Sequence, residues 1–127
     1  MLQKKILLVD DEALLTDLMS ESLQMIGHYD VEQASNGEEG MEKYKVFLPD
    51  LVLMDIEMPV MDGYESSRHI KSFDPAAKIL VLTGDPSDRR AHKTLKEGIA
   101  LTLLKKPVTI RELDRIIQKS LTAEHAD

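Results

Sequence analysis

The chain has 127 residues, the size of one ordinary domain, and it is long enough to bury a hydrophobic core without covalent cross-links. Its 16 basic and 23 acidic residues give a formal net charge of −7, and with few aromatic residues it is a poor candidate for direct nucleic-acid binding. Because it contains no cysteine, disulfides and thiolate metal sites are excluded, and we expect a reducing, cytoplasmic compartment.

Short apolar runs alternate with amphipathic segments along the chain. The runs that we predict to be strands cover residues 6–9, 29–34, 51–54, 79–82 and 101–104. The first run follows Lys4 and Lys5 but is too short for a signal peptide or a membrane span, so no membrane partner is expected. Nearly all-apolar central strands are typical of a parallel sheet that helices cover on both faces. The sequence therefore predicts five strand–helix units.

The segments between the strands have helical periodicity. The inward face of the first helix is predicted to carry Leu15, Met19, Leu23 and Ile26, and that of the last helix Ile110, Leu113, Ile117 and Leu121. The residues predicted to cap helix N-termini are Asn36, Asp62, Ser87 and Thr109. Gly27 and Gly98 follow the first and fourth helices, where a left-handed backbone conformation is favoured. Residues 123–127 are predicted to be a frayed tail or the start of a linker.

Polar residues stand where the predicted strands end. Asp10 and Asp11 follow the first strand, Asp55 the third, Thr83 the fourth, and Lys106 the fifth. In a parallel sheet of this class, ligands bind beyond the carboxyl ends of the strands. If these strands are neighbours, one edge of the sheet gathers three carboxylates, a hydroxyl and an ammonium group.

Such a set of side chains favours metal-assisted phosphoryl transfer. Crowded carboxylates raise one another's pKa, and a divalent cation with oxygen ligands, most suitably Mg²⁺, relieves that repulsion. A carboxylate can then attack phosphorus while the cation, the ammonium group and the hydroxyl hold the other oxygens. Each residue also has a simpler interpretation. Asp10 and Asp11 could cap the first helix, Thr83 could be an ordinary strand-end residue, and Lys106 with Pro107 could mark a turn before a helix.

The motifs "ILLVDDE" and "DLVLMDIEMPVMDG", followed in order by a Thr-Gly and a Lys-Pro pair, resemble the receiver domain of two-component response regulators. The resemblance covers residues 6–121 and implies a receiver domain over 4–122. The implied fold is a flavodoxin-like, doubly wound (βα)5 domain whose five-stranded parallel sheet has the order 2-1-3-4-5. It also implies a phosphorylation-dependent signalling switch that is not an enzyme acting on an external substrate.

The resemblance assigns roles to individual residues. Asp55 would be phosphorylated by a sensor histidine kinase or a histidine phosphotransfer protein. Mg²⁺ would be held by Asp11, Asp55 and the backbone carbonyl of Glu57, with Asp10 acting through water. Lys106 would pair with the phosphoryl group next to a cis peptide bond to Pro107, whereas Lys105 receives no role.

Further expectations concern how the signal is passed on. Thr83 would swing its hydroxyl towards the phosphoryl group. An aromatic residue usually lies three positions before the lysine, but here that position is Leu103, in a segment one residue longer than usual. Either a homodimer or an output domain would use the fourth and fifth helices. The basic stripe of Arg89, Lys93 and Lys96 is either a solvated face or part of that docking surface.

Three other functions fit parts of the sequence. A phosphatase of the haloacid dehalogenase type would use the same residue types with Glu57 as general acid, but the chain has no room for a cap domain. A pseudo-receiver would be a binding module that has lost its phosphoacceptor or lysine, and both are present here. A flavodoxin-like cofactor-binding protein would need a phosphate-binding loop rich in Gly, Ser and Thr after the first strand, which is missing.

Overall fold

The computed structural model describes residues 3–122. The strands are β1 (Lys5–Val9), β2 (Asp30–Ala34), β3 (Leu51–Asp55), β4 (Ile79–Thr83) and β5 (Thr102–Lys105). The helices are α1 (Ala13–Gly27), α2 (Gly37–Phe47), α3 (Gly63–Phe73), α4 (Arg89–Lys96) and α5 (Ile110–Thr122). The predicted tail, residues 123–127, lies outside the described residues.

The five strands form one parallel sheet in the order β2-β1-β3-β4-β5, which confirms the predicted flavodoxin-like fold. Val9 is opposite Met54, Asp55 is opposite Leu82, and Thr83 is opposite Lys105. The carboxyl ends of β1, β3, β4 and β5 are therefore level with one another. This register is what brings the polar residues after each strand to a common edge.

The sheet separates two hydrophobic cores, because successive side chains of a strand point to opposite faces. One core has Val9, Met54 and Val81 on the side of α2, α3 and α4. The other has Leu8 and Leu53 on the side of α1 and α5. Burial on both faces explains why the central strands are continuously apolar and do not alternate with polar residues. Each fully buried aliphatic side chain contributes about 1.5–3 kcal/mol to the stability of the fold.

The inward face of α5 is as predicted, with Leu113 and Ile117 fully buried. The prediction for α1 is partly wrong. Its buried residues are Thr16, Ser20 and Leu23, whereas Leu15 and Ile26 are about half exposed. Both hydroxyl groups are satisfied inside the helix: Thr16 donates to the Glu12 carbonyl at 2.8 Å, and Ser20 accepts from the Gln24 amide at 3.0 Å. Burying them is therefore inexpensive, and apolar side chains of α1 are left at the surface.

The predicted caps at Asn36, Asp62 and Thr109 accept hydrogen bonds from backbone N–H groups three residues on. The prediction for α4 is wrong by one residue, since Asp88 rather than Ser87 caps that helix.

The two predicted left-handed glycines have different outcomes. Gly98 has the predicted left-handed backbone, with φ of 70°. Gly27 instead ends α1, and His28 takes the left-handed conformation, with φ of 55°. Gly27 is favoured there by space, because a Cβ atom would lie 2.1 Å from the Tyr29 ring.

None of the helices in the described part of the chain has the length and apolar character that crossing a membrane requires.

Candidate functional site

The two aspartates after β1 have different environments. Asp10 is nearly buried, and its carboxylate accepts the Glu12 N–H at 3.0 Å. Its own backbone N–H donates to the Ala34 carbonyl of β2 at 3.0 Å, which fixes the chain as it leaves the sheet. Asp11, the next residue, is exposed. The pair therefore presents one carboxylate at the base of the site and one at its rim.

Asp55 is the last residue of β3 and is only 7% exposed. The chain folds closely around it, because the Gly63 N–H donates to the Ile56 carbonyl at 2.9 Å. A Cβ atom on Gly63 would lie 2.1 Å from the Asp55 backbone oxygen, so a larger residue would displace α3 from the end of the strand. The loop and helix after β3 thus hold the Asp55 carboxylate at the edge of the sheet.

Lys106 reaches this carboxylate from the end of β5. Its Nζ atom lies 3.0 Å from Asp55 Oδ1 and 3.2 Å from Asp10 Oδ2. The peptide bond between Lys106 and Pro107 is cis, as the resemblance implies. The neighbouring Lys105 is exposed and forms no ion pair with any residue in the range 3–122.

Burial and charge set the ionisation of the site. Loss of hydration is the main reason why the pKa of Asp55 is raised to about 6. The Lys106 ion pair opposes this rise, and the nearby Asp10 and Asp11 add to it, and all of these effects are included in that value. For Lys106, burial alone would lower the pKa, but the ion pairs with Asp55 and Asp10 outweigh it and the pKa is raised. At neutral pH the site therefore holds an ammonium group against a mostly ionised Asp55.

The acidic residues meet the requirements of a hard divalent cation. One carboxylate oxygen from each of Asp10, Asp11 and Asp55 lies within 4.8 Å of the others. An all-oxygen set with few protein ligands suits Mg²⁺, which keeps several of its waters. The Glu57 side chain is 81% exposed, and its carboxylate is not part of this cluster.

Thr83 lies at the end of β4 and is 4% exposed. Its hydroxyl donates to the Asp85 carbonyl at 3.0 Å and accepts the Asp85 N–H at 3.0 Å. Both hydrogen bonds stay within the loop after β4. An acceptor bound to Asp55 would compete with the Asp85 carbonyl for this hydroxyl.

Leu103 lies in the middle of β5 opposite Val81, and it packs, partly buried, against the core on the side of α4. It is thus a packing residue in this conformation. The stripe of Arg89, Lys93 and Lys96 is exposed along α4, with the Lys93 ammonium 4.7 Å from the centre of the Tyr64 ring.

One charged residue beside the site was missed by the sequence reasoning. Arg90, in the first turn of α4, forms an ion pair with Asp88 at 2.8 Å and approaches Asp62 at 3.6 Å. It also lines a shallow cavity of about 270 Å³ together with Asp11 and Glu57. No sequence pattern indicated this position, because two of its carboxylate neighbours, Glu57 and Asp62, come from the loop after β3.

The fold and the site together define a class of protein: a flavodoxin-like α/β domain with an acidic, lysine-containing pocket at the carboxyl edge of its sheet. Comparison with known proteins places the chain within that class. Residues 6–118 match the family model described as the response regulator receiver domain. The chain therefore belongs to the receiver domain family of two-component response regulators.

Individual proteins support the assignment. The chain is 40% identical over 96 residues to the chemotaxis protein CheY of Halobacterium salinarum, covering 75% of this chain and 78% of that protein. A CheY-like receiver domain of Methanospirillum hungatei has a TM-score of 0.88 at 32% identity, with 94% of both chains covered. The response regulator TrrA of Thermotoga maritima, solved in complex with Mg²⁺ and BeF, has a TM-score of 0.82 at 36% identity, covering 93% of this chain and 99% of that one.

Receiver domains are signalling switches and not classical enzymes, and membership in this family supports a phosphorylation-dependent switch. Receiver domains bind Mg²⁺ at their acidic pocket and interact with histidine kinases and phosphotransfer partners. The family match favours this function over a phosphatase or a flavodoxin-like cofactor carrier.

Proposed function

We propose that Asp55 accepts a phosphoryl group from the phosphohistidine of a sensor kinase or a histidine phosphotransfer protein. The observation that carries the proposal is the position of its carboxylate: nearly buried at the edge of the sheet, 3.0 Å from the Lys106 ammonium and grouped with two further carboxylates. A carboxylate with a pKa of about 6 is mostly ionised at neutral pH and is therefore available as a nucleophile.

In the reaction, one Asp55 oxygen forms a bond to phosphorus as the bond from phosphorus to the imidazole nitrogen of the donor breaks. The other ring nitrogen of the donor carries a proton, so the imidazole leaves as the neutral base with the electron pair of the broken bond, and Asp55 becomes an acyl phosphate. Lys106 pairs with the incoming phosphoryl oxygens, so its ammonium group is shared between them and Asp10. Positioning dominates the catalysis, because the transition state of phosphoryl transfer is loose.

The proposed reaction depends on Mg²⁺. Asp11, Asp55 and the Glu57 backbone carbonyl would hold the ion, and Asp10 would contact it through water. When bound, the ion neutralises charge that develops on the transferring phosphoryl oxygens. The clustered carboxylate oxygens support this assignment, as does the Mg²⁺ in the TrrA structure.

The proposed switch begins at Thr83. A phosphoryl group on Asp55 carries a charge of about −2 and strong acceptor oxygens, which compete for the Thr83 hydroxyl with the Asp85 carbonyl. Leaving that turn would shift the loop before α4. The partner that reads the change, either a second copy or an output domain, would then contact α4 and α5.

Acetyl phosphate labelling tests the proposal. Incubation with acetyl phosphate and Mg²⁺ should add one phosphoryl group, measured by intact-protein mass spectrometry. Omitting Mg²⁺ or adding EDTA should prevent the addition. Equal labelling of wild type and Asp55→Asn would contradict the assignment of the phosphoacceptor.

A further inference from the structure

Arg90 connects the two loops that border Asp55. Its guanidinium group forms a bidentate pair with Asp88, with Nε 3.2 Å from Oδ1 and Nη2 2.8 Å from Oδ2. It also approaches two carboxylates of the loop after β3, with Nη1 3.6 Å from Asp62 and Nη2 4.0 Å from Glu57. Asp88 belongs to the loop after β4. One side chain thus bridges the segment after the phosphoacceptor and the segment after Thr83.

The loop that Arg90 holds is the one that restrains Thr83. The Asp85 carbonyl accepts both the Thr83 hydroxyl and the Asp88 N–H, each at 3.0 Å. Asp88 in turn pairs with Arg90, and Arg90 reaches Asp62 at the start of α3. A continuous series of polar contacts therefore runs from the Thr83 hydroxyl to the fixed end of α3.

Little else fixes this end of α4. Of its eight residues only Ala91 and Thr94 are buried, so the helix is attached to the core by few apolar contacts. At its other end, the Tyr64 hydroxyl donates to Glu97 at 2.7 Å, where α4 meets α3. Among the described residues, Arg90 is the side chain that forms ion pairs between the site end of α4 and the loop after β3.

We propose that Arg90 is a positioning residue that stabilises the unphosphorylated conformation by tying the loop after β4 to Asp62. The inference rests on the proposed function, in which Thr83 must leave Asp85 when a phosphoryl group is present. Breaking the tie then favours the phosphorylated conformation. A ligand that binds a minor conformation gains apparent affinity in proportion to the population of that conformation.

The positive charge of Arg90 also has a second effect on anion binding, opposite in sign to the first. Arg90 is a cation near a site that binds an anion, so losing it should weaken anion binding through the electrostatic field alone. Removing the negative charge of Asp62 should strengthen anion binding whichever effect dominates. The direction of the change in anion affinity of an Arg90 variant therefore shows which effect dominates, the ion pair with Asp62 or the electrostatic field of the arginine.

The experiment uses beryllofluoride as the phosphoryl mimic, titrated with Mg²⁺ saturating and followed by NMR at Thr83 and along α4. The variants are Arg90→Met, Asp62→Asn and the double substitution. Asn still caps a helix, and the Arg90 backbone N–H that bonds to Asp88 is kept. Arg89→Met is the matched control, because Arg89 is exposed and forms no ion pair with a residue in the range 3–122.

Each single variant should bind beryllofluoride about two- to fivefold more tightly, as expected for loss of one exposed ion pair. The double variant should gain little beyond the stronger single one, because both substitutions break the same contact. Thr83 resonances of the unliganded Arg90→Met protein should shift towards their liganded positions, and Arg89→Met should resemble wild type.

Weaker beryllofluoride binding by Arg90→Met would show that the electrostatic field dominates, and it would overturn the proposed role of the Arg90–Asp62 contact. Additive gains in affinity in the double variant would overturn that role as well. Unchanged binding in both single variants would also overturn it, while leaving the proposed function intact. Failure of the wild-type protein to bind beryllofluoride, or to be labelled by acetyl phosphate, would instead overturn the proposed function and with it this inference.

Discussion

Replacing Asp55 by asparagine should stabilise the metal-free protein near neutral pH, although it removes an ion pair with Lys106. The reason is the cost of ionising a carboxylate that is only 7% exposed and lies beside Asp10 and Asp11. Asparagine has nearly the same shape and carries no charge. It therefore resembles the protonated form of Asp55 at every pH.

The pKa of Asp55 gives the size of the effect. In the folded protein it is about 6, against an ordinary 3.8, and the favourable Lys106 pair is already included in that value. The stability linked to a raised pKa is fully present below 3.8 and is lost as the pH rises through about 6. At 1.36 kcal/mol per pKa unit, the wild type should lose about 3 kcal/mol relative to Asp55→Asn across this window, with a plateau above about pH 7.

Urea unfolding of both proteins, followed by circular dichroism from about pH 4 to about pH 8 in EDTA, measures the difference in unfolding free energy. Titration of carboxylates far from Asp55 is common to both proteins and cancels in the difference. Asp17→Asn, at an exposed position on α1, provides the control for loss of a carboxylate outside the acidic cluster. Adding Mg²⁺ should reduce the difference in unfolding free energy between Asp55→Asn and the wild type, because the ion stabilises the wild type more.

A difference in unfolding free energy that does not change with pH would refute the reasoning, since it would mean that Asp55 ionises at its ordinary pKa in the folded protein. So would an Asp55→Asn variant that is less stable than the wild type at about pH 8. In that case the Lys106 ion pair would outweigh the loss of hydration.

Three further predictions follow from the site. Asp11→Ala should weaken Mg²⁺ binding, measured by calorimetry, far more than Asp10→Ala; a larger loss for Asp10→Ala would reverse their assigned roles. Leu103→Ala should cost about 1–3 kcal/mol in urea unfolding, because the side chain is partly buried, yet leave the beryllofluoride response of α4 intact. Glu57→Gln combined with Asp85→Asn should lengthen the phosphoryl lifetime after donor removal if these acids orient the attacking water. An unchanged or faster decay would contradict that role.

The central strands β1, β3 and β4 could be predicted because burial on both faces makes them continuously apolar. The structure places each of the five predicted strands within one residue at either end. The prediction for α1 failed for the opposite reason. Leu14, Leu15, Leu18 and Ile26 offer more than one apolar stripe at helical spacing, and periodicity alone cannot choose between them. The choice was made by the packing of Thr16 and Ser20, whose hydroxyls are satisfied within the helix.

In the site, too, some features could be predicted from the sequence and others could not. Asp10, Asp55 and Lys106 could be predicted to meet because each lies at the end of a strand or directly after it, and the register of the parallel sheet aligns those ends. The Thr83 turn could not, because it depends on the conformation of one loop. The contact between Arg90 and Asp62 joins two loops whose relative position only the folded chain defines.

Locating the phosphorylated residue tests the central claim most directly. The protein would be treated with acetyl phosphate and Mg²⁺, reduced with borohydride to convert an acyl phosphate to homoserine, and mapped by peptide mass spectrometry. We predict homoserine at position 55 and nowhere else. Homoserine at position 10 or 11, or a protein that remains unmodified although folded and able to bind Mg²⁺, would contradict it.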